Sequence, residues 1–219
     1  MLILAIETSC REGGAALLRG GKLLGELSMD SQLNHSAALL TIVERLLDGC
    51  SVEREEVTGI GVDVGPGSFT GVRVGIAAAK GLARGLSVPV CGVTSLEALV
   101  SAASTGAPFL FPVVDARGGR LYGALFERCE GAWKRAADIG LWEPQGLAGS
   151  VPEGTRIFGP GLSVFREQLE GEMGPGVVID PEDRYPSASA VARVAERNIL
   201  EERPSDPKPV YLKSYAKKR

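Results

Sequence analysis

The chain has 219 residues, 44% of them hydrophobic and 23% charged, with a formal net charge of −3. That length and balance suffice for one large domain or two small ones with a real core, and the acidic excess excludes a chain that grips nucleic acid by itself through broad phosphate neutralisation. Met1 leads straight into a strand without a signal-peptide pattern and no apolar run approaches a membrane span, so a cytosolic protein is expected.

Leu2 to Ile6 reads as a short strand that ends at Glu7-Thr8-Ser9-Cys10. Ala15 to Arg19 and Lys22 to Ser28, turning at Gly20-Gly21, complete a three-strand meander. From Ser36 to Leu47, Ala37, Leu40, Val43 and Leu47 recur at helical spacing, with Leu39, Ile42 and Leu46 widening the stripe and Asp48-Gly49 ending it. A polar helical turn from Ser51 to Glu56 leads to a strand in which Ile60, Val62 and Val64 alternate. Gly65-Pro66-Gly67 stops that strand, and Ser68 or Thr70 caps a helix running to about Arg84. Within the helix Gly71, Gly75, Ala79 and Ala83 recur every four residues, which puts four of the smallest side chains on one face. Interior glycines cost roughly 0.8–1 kcal/mol each against alanine, so the stripe predicts very close approach of another helix or backbone. A glycine turn that opens a helix can hold a phosphate. The P-loop pattern is absent, however, and the only lysine of this turn and helix is Lys80, three turns in, which favours a plain capped turn. Val88 to Val93 is a further strand, and Ser95 is read as the cap of a helix from Leu96 to about Ala103.

Ser101 to Pro108 looks like a boundary. The stretch after it can be laid on the N-terminus with Asp115 on Glu7, Arg117 on Ser9 and Leu125 on Leu17. The pattern of strand, acidic residue, glycine turn and strand thus occurs twice. Two lobes of similar design are expected, 1–104 and 105–219, with the C-terminal segment able to pack back on the first. The remainder reads as a strand within Trp133 to Leu141, a strand and glycine turn from Arg156 to Gly161, and a helix from Leu162 to Leu169. A strand from Val177 to Ile179 and a helix capped by Ser187 or Ser189 and ending near Arg203 follow. An extended segment from Pro204 to Pro209 leads to Val210-Tyr211-Leu212 and a basic end.

The opening Ile3-Leu4-Ala5-Ile6-Glu7-Thr8-Ser9, the long run from Gly65 to Gly75, Asp115-Ala116-Arg117 and Val210-Tyr211-Leu212 resemble the TsaB (YeaZ) family. Proteins of that family are the dimerisation subunit of the bacterial machinery that makes N6-threonylcarbamoyladenosine (t6A) in tRNA. The resemblance implies an α/β, two-lobed actin/Hsp70/sugar-kinase-like (ASKHA) fold with duplicated mixed-sheet lobes. It further implies a non-catalytic scaffold that binds the catalytic subunit TsaD, works with a TsaE-like ATPase, pairs with itself when alone and meets tRNA only through the complex. No cofactor of its own is implied; ATP or ADP would enter only in the complex. Family members often begin with Asp-Thr where this chain has Glu7-Thr8, and Ile-Glu-Thr-Ser-Cys is also how TsaD tends to begin. TsaD binds a metal through a His-x-x-x-His pair. His35 is the only histidine here, so no metal site is expected. The four cysteines, Cys10, Cys50, Cys91 and Cys129, lack any Cys-x-x-Cys and fit reduced thiols.

The partner interface is placed on Gly71, Arg73, Gly75, Ala78, Ala79 and Ala83, so that Gly75→Leu or Ala79→Arg would break association and leave the chain folded. Two other classes compete with the scaffold reading. A nucleotide-binding or hydrolysing protein of the same fold would use a cleft with Glu7, Thr8, Asp115, Arg117 and Gly159, although hydrogen-bonded acids in a degenerate cleft suit Glu7 and Asp115 better. A glycoprotease-like hydrolase would need a triad, and the only one available joins Ser68, His35 and Asp63 without the nucleophile elbow. No catalytic residue is assigned. His35 is read as a helix-start residue, Trp133 and Trp142 as packing residues, and Lys217-Lys218-Arg219 as a solvated tail.

Overall fold

The computed structural model describes residues 1–10, 13–28 and 35–212, and of residues 35–38 the backbone alone. In chain order the first elements are β1 (Leu2–Glu7), β2 (Gly14–Arg19), β3 (Lys22–Ser28), α1 (His35–Gly49), β4 (Gly59–Asp63), α2 (Phe69–Leu86), β5 (Val90–Val93) and α3 (Ser95–Ser101). Then come β6 (Phe109–Arg117), β7 (Arg120–Gly123), β8 (Phe126–Cys129), β9 (Ala132–Arg135), β10 (Gly140–Trp142), α4 (Pro144–Leu147), β11 (Thr155–Phe158), α5 (Leu162–Glu172), β12 (Val178–Ile179) and α6 (Ala188–Leu200). They form two units. The first joins Met1–Ala102 to Tyr185–Val210, and the second is built on Ala103–Arg184.

In the first unit β1 lies at the centre of a sheet ordered β3-β2-β1-β4-β5. It is antiparallel to β2 and parallel to β4, which is parallel to β5. Every residue of β1 is buried because both faces are covered, which is why it reads as an unbroken apolar run rather than an alternating one. Leu2, Leu4 and Ile6 point to the core shared with α1 and α2, whereas Ile3 and Ala5 point to the core shared with α3 and α6. The glycines of β4 allow the second of these approaches. A Cβ on Gly61 would stand 2.7 Å from the Ala195 Cβ, and one on Gly59 would stand 3.1 Å from the Ile199 Cδ1, both on α6.

Helix α2 opens as the sequence indicates, with Ser68 Oγ accepting from the Gly71 N–H at 3.2 Å. Its small-residue stripe points the other way from the expectation. Gly71, Gly75, Ala79 and Ala83 are buried within the chain's own first unit, the two glycines against Thr8 just past the end of β1. A Cβ on Gly71 would meet the Thr8 carbonyl oxygen at 2.0 Å, and one on Gly75 would meet Thr8 Oγ1 at 2.2 Å. The backbone that leans on this helix is therefore Thr8. Of the six residues assigned to a partner interface, only Arg73 is exposed and Ala78 half-buried; the other four are core. The outward face carries Thr70, Arg73, Ala77, Gly81 and Gly85.

One further expectation is corrected. Helix α3 is capped by Thr94, not Ser95: Thr94 Oγ1 accepts from the Glu97 N–H at 3.2 Å, and the Glu97 carboxylate accepts from the Thr94 N–H at 2.9 Å, a reciprocal capping box. A strand is found within the Trp133 to Leu141 stretch as expected: β9 begins at Ala132 and β10 follows at Gly140, in a region where Trp142 packs edge-on against Phe111.

The second unit repeats the plan. Its path β10-β7-β6-β11-β12 matches the first sheet position by position, with β6 antiparallel to β7 and parallel to β11, as β1 is to β2 and β4. Strands β8 and β9 extend it from β6. Phe111, Val113, Leu121, Leu147, Ile157, Leu162, Phe165 and Leu169 form its core. The boundary expected at 104/105 lies close to the observed change at Ala102, and α6 belongs to the first unit.

Candidate functional site

Neighbouring parallel strands end level with one another, so residues at their C-terminal ends meet. Ile6 pairs with Val62 in the β1–β4 register, and the next residues, Glu7 and Asp63, bring two carboxyls to one place. Both are buried, at 1% and 0% exposure. Ser9, in the loop after β1, stands between them: its Oγ is 2.6 Å from Glu7 Oε1 and 3.0 Å from Asp63 Oδ2. Glu7 Oε1 also accepts from the Ser9 N–H at 2.6 Å, and Oε2 accepts from the Cys10 thiol at 3.2 Å. Asp63 Oδ1 accepts from the Gly65 N–H at 2.6 Å and from the Ser95 hydroxyl at 2.8 Å. Ser95 is free to do so because Thr94 supplies the cap.

Burial pushes the Glu7 carboxyl up to about 8, and the charge of Asp63 adds to it against the bonds from Ser9 and Cys10. Burial likewise lifts Asp63 to about 6, opposed by the bonds from Gly65, Ser95 and Ser9 and reinforced slightly by Glu97. Thr8 turns the other way from this cluster and donates its hydroxyl to the Gly71 carbonyl at 2.8 Å. Ser9 reaches the turn as well, its carbonyl accepting from the Ser68 N–H at 2.7 Å. The cluster thus pins the Gly65–Ser68 turn and the start of α2 to the end of β1.

Asp115, Arg117 and Gly159 belong to the second unit. There the Arg117 N–H donates to Asp115 Oδ1 at 2.7 Å and the two side chains pair at 3.5 Å, so this acid is held by its own turn. The Ser68–His35–Asp63 triad has no support: Asp63 is occupied by Gly65, Ser95 and Ser9, Ser68 is a helix cap, and the His35 side chain lies outside the described residues. No group of three or more His, Cys, Asp or Glu suited to a metal ion exists among the described residues. None of the four cysteines forms a disulfide, and Cys91 alone is fully buried. A groove of about 690 Å³ on the second unit runs along α5 beside Pro181 and Asp183 and includes none of the predicted site residues. No described helix is long and apolar enough to cross a membrane.

Sequence reading missed Ser9 as the link between Glu7 and Asp63 and Ser95 as a partner of Asp63, and used Asp63 only for the triad. The signal was available: two apolar strands of similar length, each ending in an acid, will place those acids together if the strands pair in parallel.

Comparison with known proteins extends this geometry. A family model described as TsaD, tRNA N6-adenosine threonylcarbamoyltransferase, matches residues 29–158, more than half of the chain. The tRNA threonylcarbamoyladenosine biosynthesis protein TsaB of Bacillus subtilis is 39% identical over 127 residues, covering 58% of this chain and 56% of that protein. The solved structure of YeaZ from Pseudomonas aeruginosa superposes with a TM-score of 0.81 at 27% identity, covering 96% of this chain and 100% of that one. The chain belongs to the TsaD family, on its TsaB/YeaZ branch. Its match spans 56 to 64% of the length of the first curated TsaB relatives. A ROK hexokinase from Thermus thermophilus, with a TM-score of 0.54 and 13% identity over 91% of this chain and 100% of that one, shares the fold alone. With YeaZ it places the architecture in the actin-like, sugar-kinase-like class.

Proposed function

We propose that the chain acts in the synthesis of t6A in tRNA as a non-catalytic subunit that docks a TsaD-like catalytic subunit. The observation that carries the reading is the internal saturation of Glu7 and Asp63. In a phosphotransferase-like site, acids at strand ends must face solvent to hold a metal–phosphate group. Here both carboxyls are buried and bonded to the chain's own Ser9, Cys10, Gly65 and Ser95. What the first unit offers outward is helix surface instead. Phe69, 57% exposed, lies beneath the Arg73 guanidinium at 3.7 Å, Ala77, Gly81 and Gly85 leave the α2 backbone open to close approach, and α1 beside it exposes Leu40. Names of the relatives support the pathway: TsaB proteins are called t6A biosynthesis proteins, and the family model is that of the transferase. In this reading a second copy takes the same face when TsaD is absent. Contact with tRNA and a TsaE-like ATPase is made through the complex, and ATP or ADP is bound there rather than at Glu7.

The test is size-exclusion chromatography with light scattering on the chain and TsaD from the same cell. The wild type should give a heterodimer, and Ala77→Arg, which adds a long charged side chain on the exposed face, should give two separate species with an unchanged melting temperature. A complex that survives Ala77→Arg moves the docking face elsewhere. ATP turnover by the purified chain alone would overturn the non-catalytic reading.

A further inference from the structure

Between Glu7 and Asp63 stands one hydroxyl, Ser9 Oγ, within hydrogen-bond distance of both carboxyls. A hydroxyl has one proton to donate. If both acids were ionised, one of these two contacts would be a bare approach of two electron-rich oxygens in a site without water access. Ser95 does not resolve the conflict: its single proton serves Asp63 Oδ1 at 2.8 Å, and its Oγ lies 3.1 Å from Ser9 Oγ. We propose that Glu7 is a neutral carboxylic acid in the native fold, donating its O–H to Ser9 Oγ, while Ser9 donates to Asp63 Oδ2 and Ser95 to Asp63 Oδ1. One carboxyl proton then puts a hydrogen in the 2.6, 3.0 and 2.8 Å contacts at once.

The assignment to Glu7 rather than Asp63 follows from their other partners. Each acid accepts one backbone N–H, from Gly65 at Asp63 and from Ser9 at Glu7, but Asp63 has in addition the Ser95 hydroxyl where Glu7 has only the Cys10 thiol, a weaker donor, so the set at Asp63 favours the charged form more. Glu7 faces that charge from full burial. From β4 the charged group facing Glu7 is Asp63. From α3 it is Glu97, acting on Asp63. The loop after β1 brings the Cys10 thiol, and the Pro186 carbonyl ahead of α6 lies 4.0 Å from that sulfur. The inward face of α2 is Gly71, Val72, Gly75, Ile76, Ala79 and Ala83, without a titratable group. Among the described residues no ion pair includes Glu7 or Asp63.

The consequence is a proton that the native fold holds and the unfolded chain releases. Glu7 moves from its ordinary 4.5 to about 8, so its contribution to stability is fully present below pH 4.5 and is lost as pH rises toward 8. Asp63 acts over the lower window, 3.8 to about 6, which leaves pH 6 to 8 to Glu7. Denaturant unfolding of the full chain at pH 6, 7 and 8 should show the unfolding constant rising about tenfold per pH unit, the slope of one proton. Glu7→Gln offers an amide N–H to Ser9 without a titration and should remove most of that slope. Equal slopes in wild type and Glu7→Gln would overturn the proposal. Should the variant fail to fold, ¹³C NMR of the glutamate carboxyls in the wild type decides directly. One resonance at the protonated position at pH 7, titrating near 8, supports it. All described glutamates ionised by pH 6 would refute it.

Discussion

Two glycines ten residues apart in one helix have opposite meanings. At Gly71 a Cβ would sit 2.0 Å from the Thr8 carbonyl oxygen, a backbone atom that β1 fixes, so Gly71→Ala must shift either the strand end or the helix. Overpacking of this kind costs about 1–3 kcal/mol, and the contact is at the severe end, so a loss near 3 kcal/mol is expected. At Gly81 nothing lies within 4 Å of the built Cβ, and Gly81→Ala should stabilise the chain by about 0.8–1 kcal/mol through helix propensity. Urea melts of the two variants read both signs against the same wild type. The same comparison explains why the stripe on α2 was legible and its direction was not. Gly71, Gly75, Ala79 and Ala83 repeat at four residues, but so do Ala77, Gly81 and Gly85 on the opposite side. Periodicity finds both stripes and cannot choose between them. The choice is made by Thr8, which lies 63 residues away from Gly71 in the chain. Gly75→Leu and Ala79→Arg therefore belong with core substitutions, not with tests of docking.

At the scale of elements the strands and helices were largely readable, because β1, β4 and β6 are apolar runs stopped by turn residues and α1, α2 and α6 have broad apolar faces. Ends were harder, since adjacent Thr94 and Ser95 both suit a cap by residue type. Glu97 decides it: it stands at the third helical position counted from Thr94 and closes the reciprocal box there, which releases Ser95 to bond Asp63 at 2.8 Å. Two variants separate the roles. Thr94→Ala removes a cap and should cost about 1 kcal/mol, with the deficit confined to the amide-exchange protection of the first turn of α3. Ser95→Ala leaves the cap and strips buried Asp63 Oδ1 of one of its two donors, for about 1–3 kcal/mol. Its signature should be looser protection at Gly65 and Ser68, the amides tied to Asp63 and Ser9. If both variants lost protection in the same place, cap and cluster would be one unit and the separation would be wrong.

Over the whole chain, the repetition of strand, acid and hairpin correctly signals two sheets of one plan, because each unit is built outward from a central strand, β1 or β6, by the same pairings. The placement of α6 is not local information. Its sequence announces an amphipathic helix, yet the face it covers comprises Ile3, Ala5, Leu18, Cys91, Val93 and Ala98, contributed by strands and a helix from the first hundred residues. Those side chains present one apolar surface only after the sheet has formed, and the glycines of β4 that admit α6 closely give no hint of which helix they serve. The first unit is consequently incomplete as a contiguous fragment. Residues 1–102 alone would expose that surface, and α6 buries Val191 and Val194 on it with three alanines, Ala190, Ala192 and Ala195, each valine alone contributing about 1.5–3 kcal/mol. For a domain whose net stability is about 5–15 kcal/mol, removal of the helix should abolish cooperative unfolding. The fragment 1–102 is expected to aggregate or melt without a transition by circular dichroism, and fusing residues 185–212 to it through a flexible linker should restore a single cooperative melt. A cooperative transition in 1–102 by itself would mean that the α1 and α2 side of the sheet suffices, and that α6 is an addition to the unit rather than part of its core.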